Sequence, residues 1–278
     1  MRLSEIGEIG LLAELERRGL VQGIENDAAQ LRELVVTQDA LVERVHFRFD
    51  LIGWRELGYR AAAVNLSDLA ASGAEPEALL VTLGVPPGVE VEDVLALYEG
   101  LNEPDVPVVG GDTSRSDRVV LSVTALGRSA RVPGRAGALP GDALIVTGPL
   151  GAAGAAFRDK RLVRPPLRLS EGRELAAYAH AMLDISDGLA VDAGHLAARS
   201  GVRCVIDLER VPLAEGATEA DVGFGEDFEL LAAVEDPGRF PAIGRCEEGE
   251  GVEIRLEGKP VSLSGWDHFG GQPAVGLR

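Results

Sequence analysis

WRELGYRAAAVNLSDLAAS, residues 54 to 72, decides how the chain is read. It is long and rich in alanine, the best helix former, and so reads as one long helix. An alanine-rich helix beside valine-rich strands suits an α/β or α+β protein. Inside it stand Asn65 and Asp68, three residues apart and therefore on one helix face. Asp is a poor residue for a helix interior, so this carboxylate needs a physical reason.

Working outward, Leu34 to Thr37 and Ala40 to Phe47 read as strands. The broken alternation at Val42, Val45 and Phe47 predicts a bulge or bend. Residues 78–85 and 118–127 read as further strands and 91–102 as a second helix. Ser4 is a candidate cap for an N-terminal helix that stops at Gly19. In VVGGDTSRSD, residues 108–117, a buried strand over 106–109 is expected to end in a bare glycine turn that presents Asp112.

The texture changes at SARVPGRAGALPGD, residues 129–142, which is rich in Gly and Pro and lacks periodicity. It marks a boundary between an N-terminal domain, 1–134, and a C-terminal domain, 135–278. Beyond it, 143–147, 182–185 and 202–207 read as strands. Glycines 148, 151 and 154 open a small-residue helix, and 171–181 and 187–200 read as helices. Short strands and turns follow Glu229. VNLSDLA at 64–70 weakly echoes LDISDGLA at 183–190, compatible with two related halves.

The chain has 278 residues, which favours two domains. It is 46% hydrophobic but only 4% aromatic, so its cores must be aliphatic. A formal net charge of −18 argues against binding a nucleic-acid backbone. The same charge would repel an anionic substrate unless a divalent cation intervened. Cys204 and Cys246 fit no metal or redox spacing, which points to a reduced, cytoplasmic protein. No stretch approaches the apolar length of a membrane span, and the first ten residues carry acids where a signal peptide needs an apolar run.

Asp27, Asp39, Asp68, Asp112, Asp184, Asp187 and Asp227 share one texture: each lies beside Gly or small residues at an element end or in a helix. Asp is common in caps and turns, and any one of them alone carries little. Converging, they would offer hard oxygen ligands suited to Mg²⁺, which also binds phosphates. Asp112 would then hold metal, and its glycines would make room for a phosphate. The chain lacks G-x-x-x-x-G-K-[ST], a strand followed by G-x-G-x-x-G, H-E-x-x-H and G-x-S-x-G, which removes the P-loop, dinucleotide-fold, zincin and serine-hydrolase readings. His46 is expected to alternate on a strand. Trp266 reads as a core plug or a ring platform, and Arg135 as a solvated charge or a phosphate contact.

GIENDAA, TQDALVERVHF, AAVNLSDLAASGA, VVGGDTSR, RAGALPGD, LDISDGLAVDAGHL, GEDFELL and GWDHF occur in this order. Together they resemble the thiamine-monophosphate kinase family, within the aminoimidazole ribonucleotide synthetase-like superfamily. The resemblance implies an N-terminal mixed sheet with helices that dimerises, a C-terminal α/β domain, and phosphorylation of thiamine monophosphate by Mg-ATP. It implies metal ligands at Asp27, Thr37, Asp39, Asp68, Asp112, Asp184 and Asp187. ATP contacts would be Gly111, Asp112, Arg135 and Ser186, and thiamine monophosphate would meet His46, Glu226 and Trp266. No covalent protein nucleophile is expected. The chain departs from the family pattern at Glu25-Asn26, at Gln38 and at Phe224. These departures keep open a second expectation, a catalytically weak Mg-ATP-binding relative acting as a sensor or partner protein.

Overall fold

The alanines of 54–72 allow one helix to be covered on several sides at once. In a computed structural model, which describes residues 3–22, 26–263 and 265, this helix is buried without a break from Arg60 to Ser67. The chain runs α1 (Leu3–Arg17, kinked at Gly7), β1 (Ala29–Leu31), β2 (Leu34–Val42), α2 (Trp54–Ala71), β3 (Glu75–Val85), α3 (Val91–Asn102), β4 (Val108–Arg115) and β5 (Val120–Arg128). It continues with β6 (Ala143–Val146), α4 (Ala152–Arg158), α5 (Leu169–Ala176), β7 (Ala181–Asp184), α6 (Leu189–Ser200) and β8 (Arg203–Asp207). β9 (Leu230–Val234), β10 (Ala242–Glu247), β11 (Gly251–Leu256) and β12 (Lys259–Val261) close the described structure.

The strands form two sheets. The first has the order β1-β2-β5-β3-β4, antiparallel except for the β3–β4 pair. The second has the order β12-β11-β8-β10-β6-β9-β7 and is largely antiparallel, with β8 and β11 parallel. This is the mixed two-part α/β architecture expected from the sequence.

Helix α2 joins the halves. One side packs on β2 and β5, another on α3, and a third on α5 and β7. The approach to α3 is possible because glycines meet there. A Cβ on Gly58 would sit 1.9 Å from the Leu97 carbonyl oxygen, and one on Gly100 would sit 1.9 Å from that of Arg55. Ala70 and Ala71 belong to an apolar cluster with Ile145, Leu175 and Met182, while Leu162, Leu167 and Leu169 pack against the core of the first sheet. Each half therefore lends side chains to the other.

Several expectations need correction. Strand β2 is continuous over Leu34–Val42, and the expected bulge or bend before Phe47 is a turn that ends the strand, closed by bonds from His46 N–H and Val45 N–H to the Val42 carbonyl, 2.9 and 3.0 Å. His46 is thus not on a strand. VVGGDTSR is not a strand feeding a turn but is strand β4 itself, paired with β3 from Leu79 to Val85. Helix α1 already includes Leu3, so Ser4 is not its cap. The echo between 64–70 and 183–190 is not structural, because the first lies within α2 and the second spans β7, a turn and the start of α6. Without contradicting the spacing argument, Cys204 and Cys246 are directly opposed on β8 and β10, both buried and both free thiols. Pairing in an antiparallel ladder is invisible to spacing rules.

Candidate active site

Three carboxylates from remote segments meet beside α2. Asp27 precedes β1, Asp68 lies in the last turns of α2, and Asp184 ends β7. One carboxylate oxygen from each lies within 4.8 Å of the other two. Each is held. Arg135 Nε donates to Asp27 Oδ1 at 2.9 Å. The Thr37 hydroxyl on β2 donates to Asp68 Oδ2. Ser67 Oγ donates to Asp184 Oδ2 at 2.6 Å. Asn65 accepts the Asp39 backbone N–H at 3.0 Å, so Asn65 and Asp68 both turn to β2, as their spacing predicts.

Electrostatics explain why a cation fits. Burial pushes the Asp184 carboxyl up to about 8, with the neighbouring charge of Asp27 adding to it. Burial and then the charges of Asp39, Asp184 and Asp27 raise Asp68 well above the carboxylate range. Asp27 is raised by burial, against the pull of Arg135. Buried like charges at this distance must be neutralised by protons or by a cation. The donors are hard oxygens, the ligand type of Mg²⁺ and not of a thiophilic metal.

The remaining expected residues divide. Arg135 is no solvated linker charge, since its ion pair places it on Asp27. Ser186 accepts the Glu226 N–H on its carbonyl at 2.8 Å, so it lies between the carboxylate group and the GEDFELL loop. Glu226 is partly buried against Arg60, 2.7 Å from its guanidinium. His46 accepts the Val42 N–H on Nδ1 at 3.0 Å, which in the neutral ring puts the proton on Nε2. Asp187 is not in the three-carboxylate group but in a second one with Asp192 and His195. Asp227 accepts the Gly151 N–H at 2.9 Å and so holds the start of α4. Trp266 lies outside the described residues.

Gly111 and Asp112 do not join the group. Gly111 shares a row across the sheet with Val81, Val123 and Asp39, so it lies three strand steps from Asp39, roughly 14 Å at the usual spacing. Asp112 is the next residue, exposed on the edge strand. Gly111 also lets β3 pass closely: at φ 144° a Cβ would sit 1.8 Å from the Val81 carbonyl oxygen.

Four further residues belong to these groups without having stood out in the sequence. Ser67 and Arg60 gave no signal except their place on α2. Asp192 accepts the N–H groups of Asp187 and Gly188 at 3.0 Å each, organising the turn after Asp184. His195 stands three residues after Asp192, a spacing that could have flagged the pair on one helix face.

Residues 25–129 match the family model "AIR synthase related protein, N-terminal domain", and residues 140–254 match its C-terminal counterpart. The thiamine-monophosphate kinase of Aquifex aeolicus is 35% identical, over 97% of this chain and all of that protein. This chain belongs to the thiamine-monophosphate kinase family. The Pyrococcus horikoshii member is 36% identical over 88% of this chain and 89% of its own. A solved structure described as "AaThiL complexed with AMPPCP and TMP" superposes with a TM-score of 0.88 at 34% identity, covering 96% of this chain and 99% of that one. A hydrogenase maturation protein, HypE in complex with ATP, shares the fold at a TM-score of 0.68 and 18% identity. Family membership and architecture therefore agree with the order of motifs in the sequence.

Proposed function

We propose that this chain transfers the γ-phosphoryl group of ATP to the phosphate of thiamine monophosphate, giving thiamine diphosphate and ADP. The observation that carries this reading is the meeting of Asp27, Asp68 and Asp184, drawn from three distant segments onto one point. Relatives over nearly the full chain carry the kinase name, and the Aquifex structure is described with an ATP analogue and TMP.

Asp27, Asp68 and Asp184, with Thr37 and Asp39 beside them, would hold Mg²⁺, and Asp112 and Asp187 would serve further ions. Bound there, Mg²⁺ supplies positive charge that offsets the repulsion between two phosphate-bearing substrates. The chain's own groups fix the geometry. Thr37 and Ser67 orient two of the carboxylates, and Arg135, anchored by Asp27, presents a guanidinium to the nucleotide. Gly111, Asp112 and Ser186 complete the ATP contacts, and His46, Glu226 and Trp266 meet thiamine monophosphate. The attacking group is the substrate's own phosphate oxygen, in line with the leaving ADP, so no protein nucleophile is needed.

The same proposal includes a cytoplasmic homodimer. Among the described residues no helix is long and apolar enough to cross a membrane. β4 is an open edge, exposed almost throughout, with Val109 62% exposed, and Leu80 on β3 is 39% exposed. An unprotected edge of this length favours pairing with a second chain. The division at residues 134 and 135 is supported by the two sheets on either side of it.

The test is incubation of the purified chain with ATP, Mg²⁺ and thiamine monophosphate, with products separated by chromatography. Thiamine diphosphate is expected. Nucleotide binding without that product would leave the sensor reading in its place. A monomer in light scattering would remove the dimer.

A further inference from the structure

We infer that Arg60 is a positioning residue for the acceptor substrate, acting through Glu226. The inference rests on the reading above that Glu226 meets thiamine monophosphate.

Arg60 lies on α2 and is 4% exposed. Its Nη2 is 2.7 Å from Glu226 Oε1, and the guanidinium lies 5.9 Å from the Phe228 ring centre. Ser67 follows seven residues later, two helical turns along the same stripe. Arg60 thus reaches the GEDFELL loop from the stripe that sends Ser67 to Asp184. One rigid helix sets both the carboxylate group and Glu226.

The loop gives Glu226 little freedom of its own. Glu226 and Phe228 both have left-handed backbone, at φ 59° and 51°. Their N–H groups bond the carbonyls of Ser186 and Ile185 at 2.8 and 2.9 Å. These bonds fasten the loop to the turn between Asp184 and Asp187. The backbone is then fixed from the second half of the chain, while the carboxylate is aimed from the first half by Arg60.

A purely structural role fits poorly. Burying a guanidinium and a carboxylate together is weak support for stability, because desolvation offsets their attraction. Three residues on, Glu229 shows what a structural clasp looks like in this loop. Arg168 grips it with two prongs, at 2.7 and 2.5 Å, and Thr147 adds a third bond at 2.6 Å. Arg60 instead leaves its buried Nε without a hydrogen-bond partner among the described residues. It also lines a cavity of about 100 Å³ with Leu51, Ile52 and Tyr59. A guanidinium that holds a carboxylate while its own Nε stays unpaired orients that group without being saturated.

Steady-state kinetics on the full chain test this with Arg60→Met, Arg60→Lys, Glu226→Gln and the double variant R60M/E226Q. Arg60→Met is expected to raise KM for thiamine monophosphate tenfold or more, with KM for ATP within twofold and kcat within threefold of wild type. Arg60→Lys is expected to recover most of the loss. The double variant should match Glu226→Gln within twofold, since Arg60 acts only through that carboxylate. Should Arg60→Met fail to fold, the double variant, which orphans no buried charge, decides alone. A KM for thiamine monophosphate that Arg60→Met leaves unchanged overturns the inference. So does a double variant whose effect is the product of the two single ones. If Glu226→Gln itself has wild-type KM values, the assignment of Glu226 fails instead. If wild type makes no thiamine diphosphate, the proposed function fails.

Discussion

Ser67 on α2 and Asp184 at the end of β7 are joined by a hydrogen bond of 2.6 Å across 117 residues of sequence, with both side chains buried. The bond fixes one carboxylate of the candidate metal group from a helix that belongs to the other sheet. Removing the hydroxyl leaves a buried acceptor short of a donor, which costs about 1–3 kcal/mol. Ser67→Ala should therefore lower stability by that amount in urea unfolding, and should also weaken Mg²⁺ binding in calorimetry. Unchanged values for both would show that Ser67 does not hold Asp184.

Asp68 separates activity from stability. Its carboxylate is buried among Asp39, Asp184 and Asp27, whose charges disfavour its ionised form. Asp68→Asn removes that repulsion while keeping the shape of the side chain. Without Mg²⁺ the variant should melt at a higher temperature than wild type, yet its turnover should fall on the order of a hundredfold, as when a key electrostatic group is lost. Thermal melts with and without Mg²⁺ and one kcat measurement check both. Wild-type turnover would remove Asp68 from the metal group.

Asp227 sets a pH dependence. Burial raises its carboxyl to about 7, opposed by the N–H groups of Gly151, Ala153 and Ala152. A carboxyl raised in the fold favours the folded state fully at pH below its unfolded value near 3.8. That contribution is lost as pH rises through about 7. Compared with Asp227→Asn, wild type should lose unfolding free energy steadily between those limits. Parallel stability curves for the two proteins would contradict the assignment.

The α2–α3 contact should not tolerate a methyl group. Gly58→Ala and Gly100→Ala each drive a Cβ against the partner helix's backbone, which cannot move aside as a side chain can. Overpacking of this kind costs about 1–3 kcal/mol or more, read as a lower midpoint in denaturant. A neutral effect would mean that the helices are farther apart.

Much of this was legible in the residues. The alanines of α2 mark a long helix, and the spacing of Asn65 and Asp68 puts both on one face, which the structure turns to β2. The acids at 27, 68 and 184 were singled out by their small neighbours, and the structure brings those three together. What sequence could not supply was register and long-range pairing. Nothing local to Gly111 reveals that β3 passes against it. His46 reads as a strand residue because β-favouring residues continue past Val42, although the broken alternation marks the place where the backbone turns. Arg60 and Ser67 looked like two more positions in a helix. Their partners lie 166 and 117 residues away and become neighbours only when the two sheets close on α2.

Asp27, Asp68 and Asp184 are proposed to form a cage for a divalent cation that serves the nucleotide. A crystal grown with Mn²⁺ and a non-hydrolysable ATP analogue tests it most directly, because manganese is located by its anomalous signal. Strong anomalous density among those three carboxylates, bridging to the analogue's phosphates, is expected. Ordered nucleotide with no anomalous peak there would contradict it.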